Sequence, residues 1–482
     1  MTTFQELPAS RPAVPTLGAS RPVRARLASP PILFVILSLL FGVGLLVVNP
    51  PLRGPDEAAH FVRAYGIAGG ELVPDGRDAE GRKGTLLPAR VHDDFEFFES
   101  VRYNVGKPGF SYRTVIDYRR QAEVRGEDGR APVFTLYEGA ESYPPFSYLP
   151  YVAAGFVARL LGLDFLPTLY LMRLTGLLAM TAAAAYAIAL APRLQWALFA
   201  IAMLPAAVYS RAVISADGAA LSFTLVVVAL GLRTIHAPAQ RLAEQALWMT
   251  LATTAKLANV AFVVLEAMRG RLAELPRRAG ALALVTGPGI ALTLWWVVAT
   301  AGDVGTWRVI AGTGVPADRF DLSAKLAFML ENPLHFFAAM VSTLDNWREL
   351  SRSVIGILGW GDTHLQGWVY PVVAVLLGAS FLTRLELDRA TRLRAAAVAG
   401  LGALGYFVVV FLIFYLTWTP IAEPKIWGVQ GRYFVPMLPL LAVVVAALAD
   451  RGPRAATSAT LAIASAVLSG SAALEANWRM HW

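Results

Sequence analysis

Long apolar runs separated by short basic clusters give this chain its pattern. Pro30 to Val48 is the first run, about 19 residues without a charge. At 1.5 Å per residue that is enough to cross a hydrocarbon core of about 30 Å. Further runs at about 165–190, 195–211, 215–232, 279–300, 366–383, 395–417, 433–448 and 458–474 predict more spanning helices. The apolar stretch 243–268 is bounded by basic clusters at both ends, so a single crossing would strand one of them. A short helical hairpin turning near Thr254-Ala255-Lys256-Leu257-Ala258-Asn259 fits better. Each arm, about 13 residues, reaches only about 20 Å, which puts the turn below the membrane surface. Irregular backbone survives there only beside protein or a wet cavity. The expectation is an all-α polytopic membrane protein of about eleven transmembrane helices, with residues 30–482 as one integral-membrane domain.

Polar stretches at 49–164, 301–365 and 418–432 interrupt the runs. The first is too long for a connector and predicts a partly helical extracytoplasmic cap. Its end, YPPFSYLPYVAAGFVARLLG from Tyr143, reads as a surface-lying helix, because a crossing there would reverse every later loop. Residues 1–29 carry Arg11, Arg21, Arg24 and Arg26 against Glu6 alone and predict a disordered cytoplasmic tail. The run after it is an anchor and not a cleaved signal, since Asn49-Pro50-Pro51 is a poor cleavage site.

Composition sharpens this reading. At 56% hydrophobic and 16% charged residues, the chain is neither a soluble globular protein nor a disordered one. The net charge of +8 lies outside the cap: residues 49–144 hold 13 basic and 16 acidic side chains, leaving 29 against 18 elsewhere. Those arginines fall between apolar runs, at Arg193, Arg233 and Arg241, at Arg269, Arg271, Arg277 and Arg278, at Arg384, Arg389, Arg392 and Arg394, and at Arg451 and Arg454. They mark the cytoplasmic side, with the N-terminus inside and the C-terminus outside. No nucleic-acid partner is implied. The absence of cysteine excludes disulfides, thiolate metal sites and a Cys nucleophile.

Chemistry concentrates at a few polar positions. In NPPLRGPDEAAHFVRAYGIAGG, Pro55, Asp56 and Glu57 suit a helix start. Ala58, Phe61, Val62 and Tyr65 line one face of that helix, and Asp56, His60 and Arg63 the other. Capping of a helix lying on the membrane explains the two acids as well as catalysis does, and His60 suits a structural hydrogen bond to its neighbourhood. Asp217 in SRAVISADGAA stands between two spanning runs, where a helix cap is the simple alternative. Lys256 is harder to explain so simply, because a cation in a membrane hairpin costs several kcal/mol unless it pairs or meets a ligand. Arg432 and Tyr433, in GVQGRYFVPMLPLL, open a late span. Cations on one side of the membrane suit a lipid phosphate, and a nearby carboxylate suits a base for an incoming hydroxyl.

These motifs resemble the GT-C superfamily of integral-membrane glycosyltransferases that use polyprenyl-phosphate sugars. The likeness runs through PDEAAH, YPPFSYL, MRLTG, SADG, TTAKLAN and GRYFVPMLP. The first and last look closest to an uncharacterised bacterial branch of predicted membrane proteins marked by PDE followed by His and by QGRYF. The resemblance implies an inverting transfer, on the outer side of a bacterial inner membrane, to a glycan, lipid or protein acceptor. It implies Asp56 as base or metal-binding acid, with Asp217 as second acid; Glu57, about 100° round the helix from Asp56 and less well aimed, is a helper by position. His60, Arg63, Lys256, Arg432 and Tyr433 would bind substrate, Lys256 and Arg432 at the donor phosphate. Asp56, Glu57 and Asp217 could supply oxygen ligands for Mg or Mn. The rivals are a transporter or flippase of lipid-linked sugars, against which stands the lack of an internal repeat, and a non-catalytic scaffold for envelope assembly.

Overall fold

The computed structural model describes residues 29–104, 110–121, 130–191, 193–236, 242–269, 276–300 and 312–482. Nearly all of the expected N-terminal tail, and Arg241 and Arg271, lie outside them. In chain order the first helices are α1 (Pro30–Val48) and α2 (Glu57–Ala68). The cap continues with β1 (Gly84–Leu87), α3 (Ala89–Val101), α4 (Tyr112–Gln121), β2 (Val133–Leu136) and α5 (Leu149–Leu160). Then come α6 (Phe165–Leu190), α7 (Gln195–Ala202), α8 (Pro205–Ala212), α9 (Ala216–His236), α10 (Leu242–Ala255) and α11 (Ala279–Ala299). After these follow α12 (Leu322–Glu331), α13 (His335–Leu344), α14 (Trp347–Gly356), α15 (Val369–Ser380), α16 (Arg389–Thr417), α17 (Leu438–Ala449) and α18 (Ala455–His481).

The fold is mostly helical, not wholly so. Antiparallel β1 and β2 pair Gly84 with Leu136 through Leu87 with Val133, and a two-residue ladder joins Ile357–Leu358 to Thr363–His364. Among the described residues seven helices are long and apolar enough to cross a membrane; the other four expected crossings are shorter or broken. The difference has physical causes. The run at 195–211 is broken, because Pro205 has no N–H to continue a helix from Leu204, and it folds as α7 and α8 of 8 residues each. The run at 366–383 keeps only 12 helical residues as α15. The 243–268 stretch is two short arms.

Those arms reverse at Lys256. Lys256 pairs with Asp217 at the start of α9, whereas Leu265 and Met268 lie against Gly231 near the other end of the same helix. The return arm, Leu257–Arg269, is a 3-10 helix of 13 residues, much longer than the three or four residues usual for that conformation. The broken span and this arm put non-α backbone inside the bundle, close to the polar cluster described below.

One end of the bundle carries the cap. Exposed Trp295, Trp360 and Trp478 sit toward that end, beside Trp296 on the Ser142 carbonyl, under Arg102, and stacked on Trp482 at the Val48 carbonyl, the placement tryptophan takes at a membrane–water boundary. Inside the cap, α2 is buried along nearly its whole length. It does not lie on a membrane with one face wet, as its pattern suggested. Phe61 packs edge-on to Phe165 and stacks with Phe95, so the cap's own core clamps α2 onto the start of α6. The short helix α5 begins and ends at the cap end. It buries Tyr151, Ala154 and Ala158 and exposes Phe156, Leu160 and Leu161, the two-faced character of an interfacial helix.

Candidate functional site

Four segments far apart in sequence deliver charge to one place. Asp56 precedes α2 with a left-handed backbone, φ 54°, and its side chain makes no capping hydrogen bond. A non-glycine residue in that region is strained, so the simple capping explanation of Asp56 does not hold. Its carboxylate is half exposed and lies 3.6 Å from Nη2 of Arg432.

Arg432 reaches this point because Gly431 lets the chain press against α14. A Cβ on Gly431 would stand 1.9 Å from the Leu350 carbonyl oxygen. The Arg432 guanidinium donates to the Tyr433 hydroxyl at 3.1 Å. Its Nε is 3.2 Å from Oδ2 of Asp217, an ion-pair distance without hydrogen-bond alignment. The other oxygen of Asp217, Oδ1, accepts from Lys256 Nζ. Lys256 stands at the break between α10 and the 3-10 arm, with Nζ 4.3 Å from the centre of the Tyr433 ring. That ring stacks on Phe414. Two carboxylates and two cations thus meet with no net charge. The crevice behind them, lined by Ser210, Asp217, Lys256, Arg432, Tyr433 and small apolar residues, holds about 10 Å³, room for about one water.

His60, one turn along α2, borders the cluster. Its Nδ1 shares a 2.6 Å hydrogen bond with the Tyr148 hydroxyl, and its ring packs edge-on to Tyr143. Burial pushes the imidazole below the usual histidine range, against the opposing pull of Asp56 and Asp217. Burial likewise pushes the Tyr143 and Tyr148 hydroxyls far up.

Two of the expected site residues are held elsewhere. Glu57 is completely buried in a two-pronged pair with Arg173, 2.7 Å to Nε and 2.6 Å to Nη2. It also accepts from the backbone N–H groups of Gly54 and Ile214. The Arg173 guanidinium in turn donates to the carbonyls of Leu46, Asn49 and Pro50. Every oxygen of Glu57 is occupied, so it ties α1, α2, α6 and the α8–α9 link together. Arg63 is buried too, donating to the Glu71 and Leu72 carbonyls at 2.9 and 2.6 Å and lying over Tyr137 and Trp296. It closes the cap and does not face the cluster.

Sequence reasoning gave no role to Arg173, Tyr143, Tyr148 or Arg211. The MRLTG and YPPFSYL motifs contain the first three, so those motifs were the available signal. Arg211, wholly buried on α8, donates to the Ala202 carbonyl at the end of α7 and to Ser38, where it bridges the broken span. For a divalent metal, Asp56 and Asp217 each stand against a cation. Among the described residues no group of three His, Asp or Glu side chains is arranged to hold an ion. The cluster as placed does not fit a metal.

Seven candidate spans among the described residues, a folded polar cap and a charged cluster beneath it define a helical membrane protein with several crossings. The family described as predicted membrane protein, DUF2142, matches residues 39–441, and the chain belongs to that family. No curated protein and no solved structure matches it.

Proposed function

We propose that the protein is a GT-C-type glycosyltransferase, moving a sugar from a polyprenyl-phosphate donor to a glycan, lipid or protein acceptor in the bacterial envelope. One observation carries the reading: Asp56, Asp217, Lys256 and Arg432 converge from four segments on a spot that is open on the Asp56 side. Lys256 and Arg432 hold the donor phosphate. Asp56, strained, uncapped and half exposed, takes the proton of the acceptor hydroxyl as that oxygen bonds to the anomeric carbon. The bond from that carbon to the phosphate oxygen breaks on the opposite face. The leaving polyprenyl phosphate gains a negative charge, and the two cations stabilise that charge as it develops. Before the donor arrives, Asp217 keeps both cations in place.

In this reading the cap end is extracytoplasmic. The far end, with Arg193, Arg233, Arg277, Arg278, Arg384, Arg389 and Arg454, is cytoplasmic by the excess of arginine. Cysteines introduced into the cysteine-free chain near Asp56 and Gln430 should react with an impermeant reagent from outside. Labelling only from inside would reverse the topology and remove the site from its substrate.

The activity test uses purified protein with polyprenyl-phosphate hexoses and pentoses, and membranes as the source of acceptor. Sugar transfer that disappears in Asp56→Asn supports the reading. One observation favours a second reading, a flippase of lipid-linked sugars: the α7–α8 span is broken at depth, a feature transporters use. Flux of a lipid-linked sugar across vesicles that survives Asp56→Asn, with no transfer by the parent, would favour the flippase.

A further inference from the structure

The anion site proposed above already has an occupant. Asp217 lays one carboxylate oxygen on Lys256 and the other on Arg432, the two-point contact a phosphate would make with the same pair. It does so from the first turn of α9, a helix of 21 residues whose N-terminal end favours anions. The crevice behind the cluster has room for about one water, so a phosphate arriving from the open Asp56 side meets two cations whose carboxylate contacts are already taken by Asp217. Something must move aside, and Asp56 is not the obstacle, being half exposed and touching Arg432 only at 3.6 Å.

We infer that Asp217 is a tethered stand-in for the donor phosphate. In the ligand-free protein it neutralises Lys256 and Arg432 and keeps them aimed; a lipid-borne phosphate binds by displacing it. The inference rests on the donor reading above and goes past it, because it makes Asp217 a competitor that sets the threshold for donor binding. A neutral or singly hydrogen-bonding lipid headgroup does not replace two ion pairs, whereas a phosphate oxygen pair does. Asp217 therefore selects for anionic headgroups by being one itself.

Binding of a polyprenyl phosphate to the protein in lipid nanodiscs tests this, comparing the parent with Asp217→Asn and Lys256→Ala. With the competing charge gone, Asp217→Asn should bind about tenfold tighter than the parent, the scale of one charge-assisted contact, while Lys256→Ala binds more weakly. Binding by Asp217→Asn that is equal to the parent's or weaker overturns the stand-in and leaves the donor reading intact. Absence of binding by both overturns the two together. Thermal unfolding guards against a folding defect. Without ligand Asp217→Asn should melt below the parent, having two cations short of a counter-charge, and polyprenyl phosphate should raise its midpoint more than the parent's. A variant that melts early and is not rescued overturns the inference. Inorganic phosphate that rescues as well as the lipid does overturns the assignment to a lipid headgroup.

Discussion

Asp56 and Glu57 are neighbours in sequence and opposites in surroundings. Glu57 is sealed, with both oxygens on Arg173 and two backbone N–H groups on the same carboxylate. Asp56 is half in solvent, out of helical conformation and loosely set against Arg432. The networks around them differ in the same way. Arg173 has its remaining donors on backbone carbonyls, whereas Arg432 and Lys256 share one carboxylate between them and touch an aromatic ring. A saturated ion pair has no capacity left for a ligand and holds the fold. An under-coordinated cluster can exchange partners, and exchange is what binding and proton transfer require.

The strongest way to break this contrast is at Asp56. Asp56→Asn keeps the shape and removes the proton acceptor, so turnover should fall by about 100-fold to 10,000-fold with donor affinity near the parent's. The measurement is sugar transfer beside polyprenyl-phosphate binding. Near-parental turnover in this variant would place the base elsewhere.

Next in size is the sealed pair. Removing one partner of a buried pair leaves an uncompensated charge, a loss of about 3 to 5 kcal/mol. Arg173→Ala should therefore lower the thermal unfolding midpoint sharply and reduce the yield of folded protein. Were Arg173→Ala to fold normally and lose only activity, the Glu57–Arg173 pair would belong with the open cluster, and the contrast would fail.

The two networks were not equally legible in the sequence. Lys256 was visible because a cation in an apolar run has few ordinary explanations, and Asp217 and Arg432 because they punctuate the ends of spans. Arg63 and Glu57 also read like site residues, yet Arg63 is held by backbone carbonyls and Glu57 by two backbone N–H groups and the distant Arg173, partners that leave no trace in local side-chain spacing. The helix at Glu57–Ala68 looked amphipathic by period. Phe95 and Phe165 cover its apolar face at Phe61, while Tyr143, Tyr148, Tyr137 and Trp296, from segments the period does not connect, cover the His60 and Arg63 side. Apolar length alone does not reveal that Pro205 breaks the 195–211 run or that the Leu257–Arg269 arm winds as 3-10. Pro205 was readable in the sequence; the winding of the arm depends on packing.

A smaller effect sharpens the open side. Lys256→Ala takes one cation from the cluster and should weaken polyprenyl-phosphate binding by about tenfold to a hundredfold, roughly 1.5 to 3 kcal/mol. Unlike Arg173→Ala it should fold, because Lys256 is partly exposed and its partner Asp217 keeps Arg432. A folding defect as large as that of Arg173→Ala would show that the cluster is structural as well.

The smallest expected effect concerns His60, which lies on α2 shortly after both acids and borders the cluster. Its ring is buried against Tyr143 and hydrogen-bonded to Tyr148. Burial holds it below the usual range, while Asp56 and Asp217 pull upward and Lys256 and Arg432 push downward again. The sign follows from linkage. Above about pH 6.5 the ring is neutral in both folded and unfolded chains and contributes nothing to pH dependence. As pH falls below that, the unfolded chain takes up a proton that the folded chain resists, so stability declines until the folded ring also titrates. For one proton the slope is at most about 1.4 kcal/mol per pH unit. His60→Gln can still bond to Tyr148 but has no proton to gain, so its unfolding midpoint should fall less steeply than the parent's below about pH 6.5. A parent that instead becomes more stable relative to His60→Gln on acidification would mean that His60 is charged in the folded protein. It would then add a third cation to the open cluster.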